Sequence, residues 1–227
     1  MAQGKMNATK AEIIRVATGM FLERGFTGTS AKALCEQLDI STGNLTFYFP
    51  TKEHMLAELV TMLCQFQWEM MKWEAKDGIS QIMAICLELT AMAAMCEEDE
   101  IAKDIYLSAY SLPQTLQIIR KNDASKAKQV FAEYCPNWTD EQFAEAETLV
   151  SGMEYATLMT TEDSAPLETR IAGALNQILA VYQVPEEIRN RKIDRVLAMD
   201  YRGIGRRVFK EFRTYVQNCG DQLLESI

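Results

Sequence analysis

The sequence predicts an all-α fold, and three features carry that expectation. Apolar residues recur at i, i+3, i+4 and i+7 in segment after segment, as in Ile13, Val16, Ala17, Met20 and Phe21, which marks one buried helical face. Capping residues precede these segments, and glycine or proline follows several of them. No stretch alternates apolar and polar residues as a half-buried strand would, and no internal repeat appears. The expected arrangement is a small three-helix unit over residues 1–52 and a helical bundle over residues 53–227. A fourth helix, from about residue 52, links the two.

Taken in order, residues 1–8 read as a disordered tail, and Thr9-Lys10-Ala11-Glu12 reads as a capping box opening the first helix. Gly25 ends that helix, with Phe26 folding back on it. Thr29 or Ser30 caps a short second helix that buries Ala31, Leu34, Cys35 and Leu38. Ser41 caps a third, with Leu45 and Phe49 inward and residues 39–40 left as the turn. Asp39 tolerates positive φ better than most residues, which suits that turn. Pro50 stops the third helix. Helices this short cannot stand alone, so they must lean on their neighbours, and the pair forms a helix-turn-helix.

The run from about Thr9 to Leu59 resembles the TetR family of one-component bacterial transcriptional regulators. Ala17, Phe21, Gly25-Phe26, Thr29-Ser30, Ser41-Thr42-Gly43-Asn44-Leu45 and Phe47-Tyr48-Phe49-Pro50-Thr51-Lys52-Glu53 carry the likeness. The resemblance implies that the third helix reads the major groove of double-stranded DNA. Thr42, Gly43 and Asn44 would then approach base edges, with Thr46 beside them and Phe47 and Tyr48 on the rim. Tyr48, Thr29, Lys32 and Lys52 would anchor phosphates, with Ser30 alongside. The family often has alanine at Cys35, glycine at Asp39, lysine at Thr42 and tyrosine at Thr46; the last two departures remove contacts. The resemblance further implies a homodimer whose C-terminal helices bind a small molecule, and the six scattered cysteines, read as reduced thiols, fit a cytoplasmic protein.

Beyond the third helix, the fourth runs from about 52 to 74, burying Leu56, Leu59, Val60, Leu63 and Met70, and Lys76-Asp77-Gly78 breaks the chain. Residues 79–96 are apolar almost all round, as in a helix buried on every side, and Glu88 interrupts the run. Glu97 to Glu100 mark a solvated junction before a helix over 101–111. Pro113 opens the next helix, with a kink at Asn122-Asp123. Thr139-Asp140-Glu141-Gln142 is a second capping box, opening a helix to about Thr160. Its small residues Ser151, Gly152 and Ala156, together with the helix over 167–183, are the candidate dimer face. Pro185 opens a helix to about Met199, and the last helix spans about 204–219, bent off at Tyr201-Arg202-Gly203. Its Arg206, Arg207, Lys210 and Arg213 are best read as a solvated face balancing acidic neighbours.

The middle of the chain is rich in methionine and aromatic residues, which suit an adaptable apolar pocket. Candidate ligand contacts are Trp68, Met71, Met83, Glu88, Tyr106, Tyr110, Met153 and Glu154, although most residues of these types serve as ordinary core. His54 is the single histidine, and neither a nucleophile elbow nor a phosphate loop occurs, which argues against an enzyme. The six cysteines lack C-x-x-C spacing, so no metal site or cofactor is expected. No run is long and apolar enough for a membrane span. The net charge of −9 belongs to the body, because basic and acidic residues balance over residues 1–60. A locally neutral head on an acidic body can still meet phosphates, with salt-sensitive affinity. The competing reading is a helical ligand-binding or interaction protein that has lost DNA binding, favoured by the acidity, Thr42 and Thr46.

Overall fold

The computed structural model describes the backbone of residues 2–75 and 80–225, and the side chains of residues 8–70, 73 and 80–219. Eleven helices make up these residues, with no strand among them: α1 (Ala2–Arg24), α2 (Ala31–Leu38), α3 (Thr42–Tyr48), α4 (Lys52–Ala75), α5 (Gln81–Glu98) and α6 (Glu100–Ser111). They continue as α7 (Pro113–Phe131), α8 (Asp140–Leu158), α9 (Leu167–Val181), α10 (Glu186–Leu197) and α11 (Tyr201–Glu225). The break expected at Lys76-Asp77-Gly78 lies outside the described residues.

Local chemistry sets most of the helix ends. The Ser30 hydroxyl accepts from the Ala33 N–H, and the Ser41 hydroxyl accepts from the Asn44 N–H. Asp39 closes α2 at φ 51°, left-handed as its short polar side chain allows. Gly25 takes φ +79°, and a Cβ there would meet the Asp104 carboxylate at 2.5 Å, so two constraints converge on glycine. The capping box at Thr139 and Gln142 forms in full. Asp99 caps α6 through the N–H groups of Ile101 and Ala102.

Four expectations are corrected. The helix α1 starts at Ala2, replacing the expected tail, and it packs along α11. Thr9 therefore lies inside a helix, and the Glu12 carboxylate holds Arg15 at 2.6 Å instead of capping. Residues Asn122-Asp123 leave α7 unbroken, since Asp123 meets Lys126 one turn on at 3.1 Å. Tyr201 opens α11 without a bend, because the Asp200 carboxylate accepts from the Gly203 N–H and caps the helix start.

The core runs continuously from the first three helices into the bundle. The centre is α5, buried from Ile82 to Cys96 apart from Ile85 and Glu88. It touches α4, α6, α9, α10 and α11. The basic face of α11 answers the acidic junction after α5: Arg206 pairs with Glu98 at 2.8 Å, and Arg202 reaches Glu98 and Glu97.

Candidate nucleic-acid interface and the cavity behind it

The helix α3 presents one face and buries the other. Leu45 is 1% exposed and seats the helix on the core, and Phe49 follows it inward. Thr42, Gly43, Asn44, Thr46 and Phe47 all lie exposed on the outer face. Phe47 is 71% exposed and meets Tyr48 edge-on at 5.1 Å. The Thr46 hydroxyl donates to the carbonyls of Thr42 and Gly43, which turns its methyl toward solvent. A Cβ on Gly43 would have only the Ser41 hydroxyl near it, at 3.9 Å, so the backbone there is open to close approach.

Two of the expected phosphate anchors are instead structural. Thr29 is 0% exposed, and its hydroxyl donates to the Gly25 carbonyl at 2.8 Å and the Met20 carbonyl at 3.3 Å. The ammonium of Lys52 turns inward, donating to the carbonyls of Phe26 at 2.6 Å and Thr29 at 2.9 Å, and it sits 4.0 Å over the Phe26 ring. Burial lowers its pKa, partly offset by Asp104. These two residues lock the α1–α2 turn to the start of α4. Ser30 and Lys32 stay exposed, although the Ser30 hydroxyl also caps α2. Lys32 is loosely paired with Glu36 at 3.8 Å, and Tyr48 is half-buried.

Behind this unit, α4 to α9 enclose a cavity of about 60 Å³. That is less than the roughly 150 Å³ that admits benzene in an engineered apolar core, so a ligand must widen it. Leu63 and Cys64 of α4, Leu89 and Met92 of α5, and Leu175 and Ile178 of α9 supply apolar wall. Phe131 stacks on Tyr182 at 4.2 Å between ring centres.

The polar lining is heavily charged for a buried site. Lys126 of α7 is 7% exposed and lies 3.2 Å from Glu88 and 3.1 Å from Asp123. Burial works against its charge, but Glu88 and Asp123 overcome that and hold its pKa above the ordinary range. Tyr110 donates to Glu154 at 3.0 Å, Tyr182 donates to Glu147, and Gln67 donates to the Tyr106 hydroxyl at 3.1 Å. Burial, with Asp123 nearby, pushes Glu147 up to about 8. Burial followed by Asp123 and Glu147 also drives Glu154 far above the carboxylate range.

Of the expected ligand contacts, Glu88, Tyr106, Tyr110 and Glu154 line the cavity. Met83, fully buried in α5, and the half-buried Met153 pack elsewhere in the core. Trp68 lies outside the lining, with its ring 5.3 Å from the Lys126 ammonium. The side chain of Met71 lies outside the described residues. Sequence reading missed Asp123, Lys126 and Glu147. The signal was available: Lys126 interrupts the buried set Ile119, Ala127, Val130, and Glu147 interrupts Phe143, Ala146, Val150. A charge on the apolar face of a helix marks either a buried pair or a site.

Three connections tie the cavity to the N-terminal unit. The first is α4, which lines the cavity at Val60 to Gln67 and begins at Lys52. The second is α6, which carries Tyr106 and Tyr110, while its Asp104 accepts from the Thr27 N–H at 2.9 Å and hydroxyl at 2.7 Å. The third is α7, which carries Asp123 and Lys126 and whose Gln114 N–H donates to Glu53 of α4 at 2.9 Å. No helix among the described residues is long and apolar enough to cross a membrane.

Comparison with known proteins agrees with this geometry. Residues 13–59 match the family described as bacterial regulatory proteins, tetR family. A curated relative, the HTH-type transcriptional repressor KstR2 of Mycobacterium tuberculosis, is 33% identical over 57 residues, which are 25% of this chain and 28% of the relative. The structure of RolR with resorcinol aligns at TM-score 0.68 and 17% identity, covering 86% of this chain and 97% of RolR. Ligand-free RolR aligns at TM-score 0.60 and 16% identity, covering 81% and 96%. At these identities the structures establish the fold, and the N-terminal match establishes that residues 13–59 are similar to the bacterial regulatory proteins of the tetR family, with the curated relative matched over about a quarter of its length.

Proposed function

We propose that the chain is a ligand-responsive repressor that binds a palindromic operator as a homodimer and is released by a small apolar or amphipathic ligand. Residues 1–52 serve as the reading head and residues 53–227 as the ligand-binding and dimerisation body. One observation carries the reading: two helices lining the cavity reach the head, α4 by beginning at Lys52 and α6 through Asp104 to Thr27, while α7 holds the start of α4 through Gln114 to Glu53. A ligand that widens the cavity by displacing α4, α6 or α7 is felt at the head. The two heads of a dimer must sit about 34–36 Å apart to enter successive major grooves, so a small rotation of α4 suffices for release.

Dimerisation is expected through α8 and α9. Gly152 and Ala156 lie exposed on α8 beside Leu149 at 61% and Met159 at 47% exposure. Ser151 drops out of that face, being 1% exposed and bonded to Arg120.

The test is binding of the protein to DNA from upstream of its own gene, followed by fluorescence anisotropy over a salt series. Expected are a saturable complex, a modest negative salt slope, and loss of sequence preference in Asn44→Ala. The affinity of Phe47→Ala should fall while its melting temperature holds. The second reading, a ligand-binding protein without DNA binding, gains from the inward turn of Thr29 and Lys52. Absence of any saturable, salt-dependent complex would establish it instead.

A further inference from the structure

Taking the cavity as the effector site, we propose that its ligand is an amphipathic molecule bearing a protonated amine, the ammonium seated against Glu147 and Glu154 and the apolar part against Phe131 and Tyr182. The first ground is an unmet acceptor. Glu147 is 2% exposed and lines the cavity; one of its oxygens accepts from Tyr182, and the other, Oε2, has no hydrogen-bond partner. A buried carboxyl oxygen without a partner is costly whether or not it carries the proton, and a ligand ammonium that pairs with the ionised form removes that cost.

The second ground is charge balance. Among the described residues, four carboxyl groups, Glu88, Asp123, Glu147 and Glu154, line the cavity with one cation, Lys126. That cation is already committed to Glu88 and Asp123. Among the described residues, Glu147 and Glu154 face the cavity with only tyrosine hydroxyls bonded to them. An anionic ligand would find no uncommitted cation among the described lining residues, since Lys126 is held by Glu88 and Asp123. A neutral polyhydroxylated ligand could donate to Oε2 but would leave the carboxyl pair protonated. An ammonium both donates and favours the ionised carboxylate, and the aromatic wall suits the remainder of such a molecule.

Binding should then expel a proton. The groups around Glu147 are Asp123, Lys126 and Arg120 of α7, Glu154 of its own helix, and Tyr182. Burial and Asp123 hold the Glu147 proton near neutrality in the folded chain. A seated ammonium lowers that affinity and releases the proton to buffer.

The experiment uses the full-length protein and three probes of matched shape: phenethylamine, phenethyl alcohol and hydrocinnamate. Titration calorimetry at neutral pH, in buffers of different ionisation enthalpy, gives affinity and proton count together. Expected are an amine affinity at least about tenfold above both other probes, and release of about one proton. Glu147→Gln and Glu154→Gln should each lose that preference while keeping the alcohol's affinity. Circular dichroism and melting confirm that the variants fold. Equal affinity for amine and alcohol, no saturable amine binding, or an amine preference that survives the double variant overturns the proposal. The effector reading is judged separately, by adding the amine to the operator complex. Tight amine binding that leaves DNA affinity unchanged would sink that reading and keep the ligand class. Release by the alcohol but not the amine would do the reverse.

Discussion

Replacing Glu147 by glutamine should change how the protein's stability depends on pH. The ordinary value of this carboxyl is 4.5, and burial with Asp123 nearby raises it to about 8 in the folded chain. Below about pH 4.5 both the folded and the unfolded chain carry the proton, and the group contributes no slope. Between about 4.5 and 8 the folded chain keeps a proton that the unfolded chain has released, so rising pH lowers stability by up to about 1.4 kcal/mol per pH unit. Summed from about pH 5 to about pH 8, the loss approaches 3 kcal/mol, and the variant is free of it. For a chain of this size that is a melting-point difference of about 6–12 °C between the two ends of the range. Absolute stability is the weaker comparison, because the buried glutamine amide brings an unpaired donor costing about 1–3 kcal/mol at every pH. The assay is thermal unfolding of both proteins from about pH 5 to about pH 8, at one protein concentration so that any self-association weighs equally on both. Wild type should lose stability against the variant as pH rises. Curves that stay parallel would refute the reasoning, since they would mean Glu147 is solvated in the folded protein.

Two further outcomes follow from the same geometry. Asp104→Ala removes two hydrogen bonds between α6 and Thr27 and should cost about 1–3 kcal/mol in urea unfolding. It should also weaken the effect of an effector on DNA affinity while leaving effector binding intact, which paired anisotropy and calorimetry would reveal. Gly152→Trp meets no atom within 4 Å in the single chain, so the fold should survive with unchanged helix content. Sedimentation should nonetheless report a monomer, and an unchanged dimer would move the interface away from this face of α8.

Local signals were enough for the outline of the fold. Hydrophobic spacing located the helices, and hydroxyl caps at Ser30, Ser41 and Thr139 set their starts, because these depend on residues within one turn of each other. The outward face of α3 was legible for the same reason: a short helix that buries Leu45 must present Asn44 and Phe47 to solvent. The N-terminal extension of α1 was not legible, since no local signal in the first residues opens a helix at Ala2, and α1 packs along α11, far away in sequence.

The sites show the same division. Thr29 and Lys52 carry the right chemistry for phosphate, yet carbonyls of the α1–α2 turn claim both, and only the approach of α4 to that turn decides this. Met83 has the right chemistry for a ligand wall but faces away from the cavity. Glu147, Glu154, Asp123 and Lys126 come from two helices and act as one group only after α7 packs against α8. Sequence alone located most of the helices and the one-turn contacts that cap α2, α3 and α8. Tertiary structure decided which polar side chains stay wet and which are buried together, because burial and charge coupling depend on distances between segments that sequence separation does not encode.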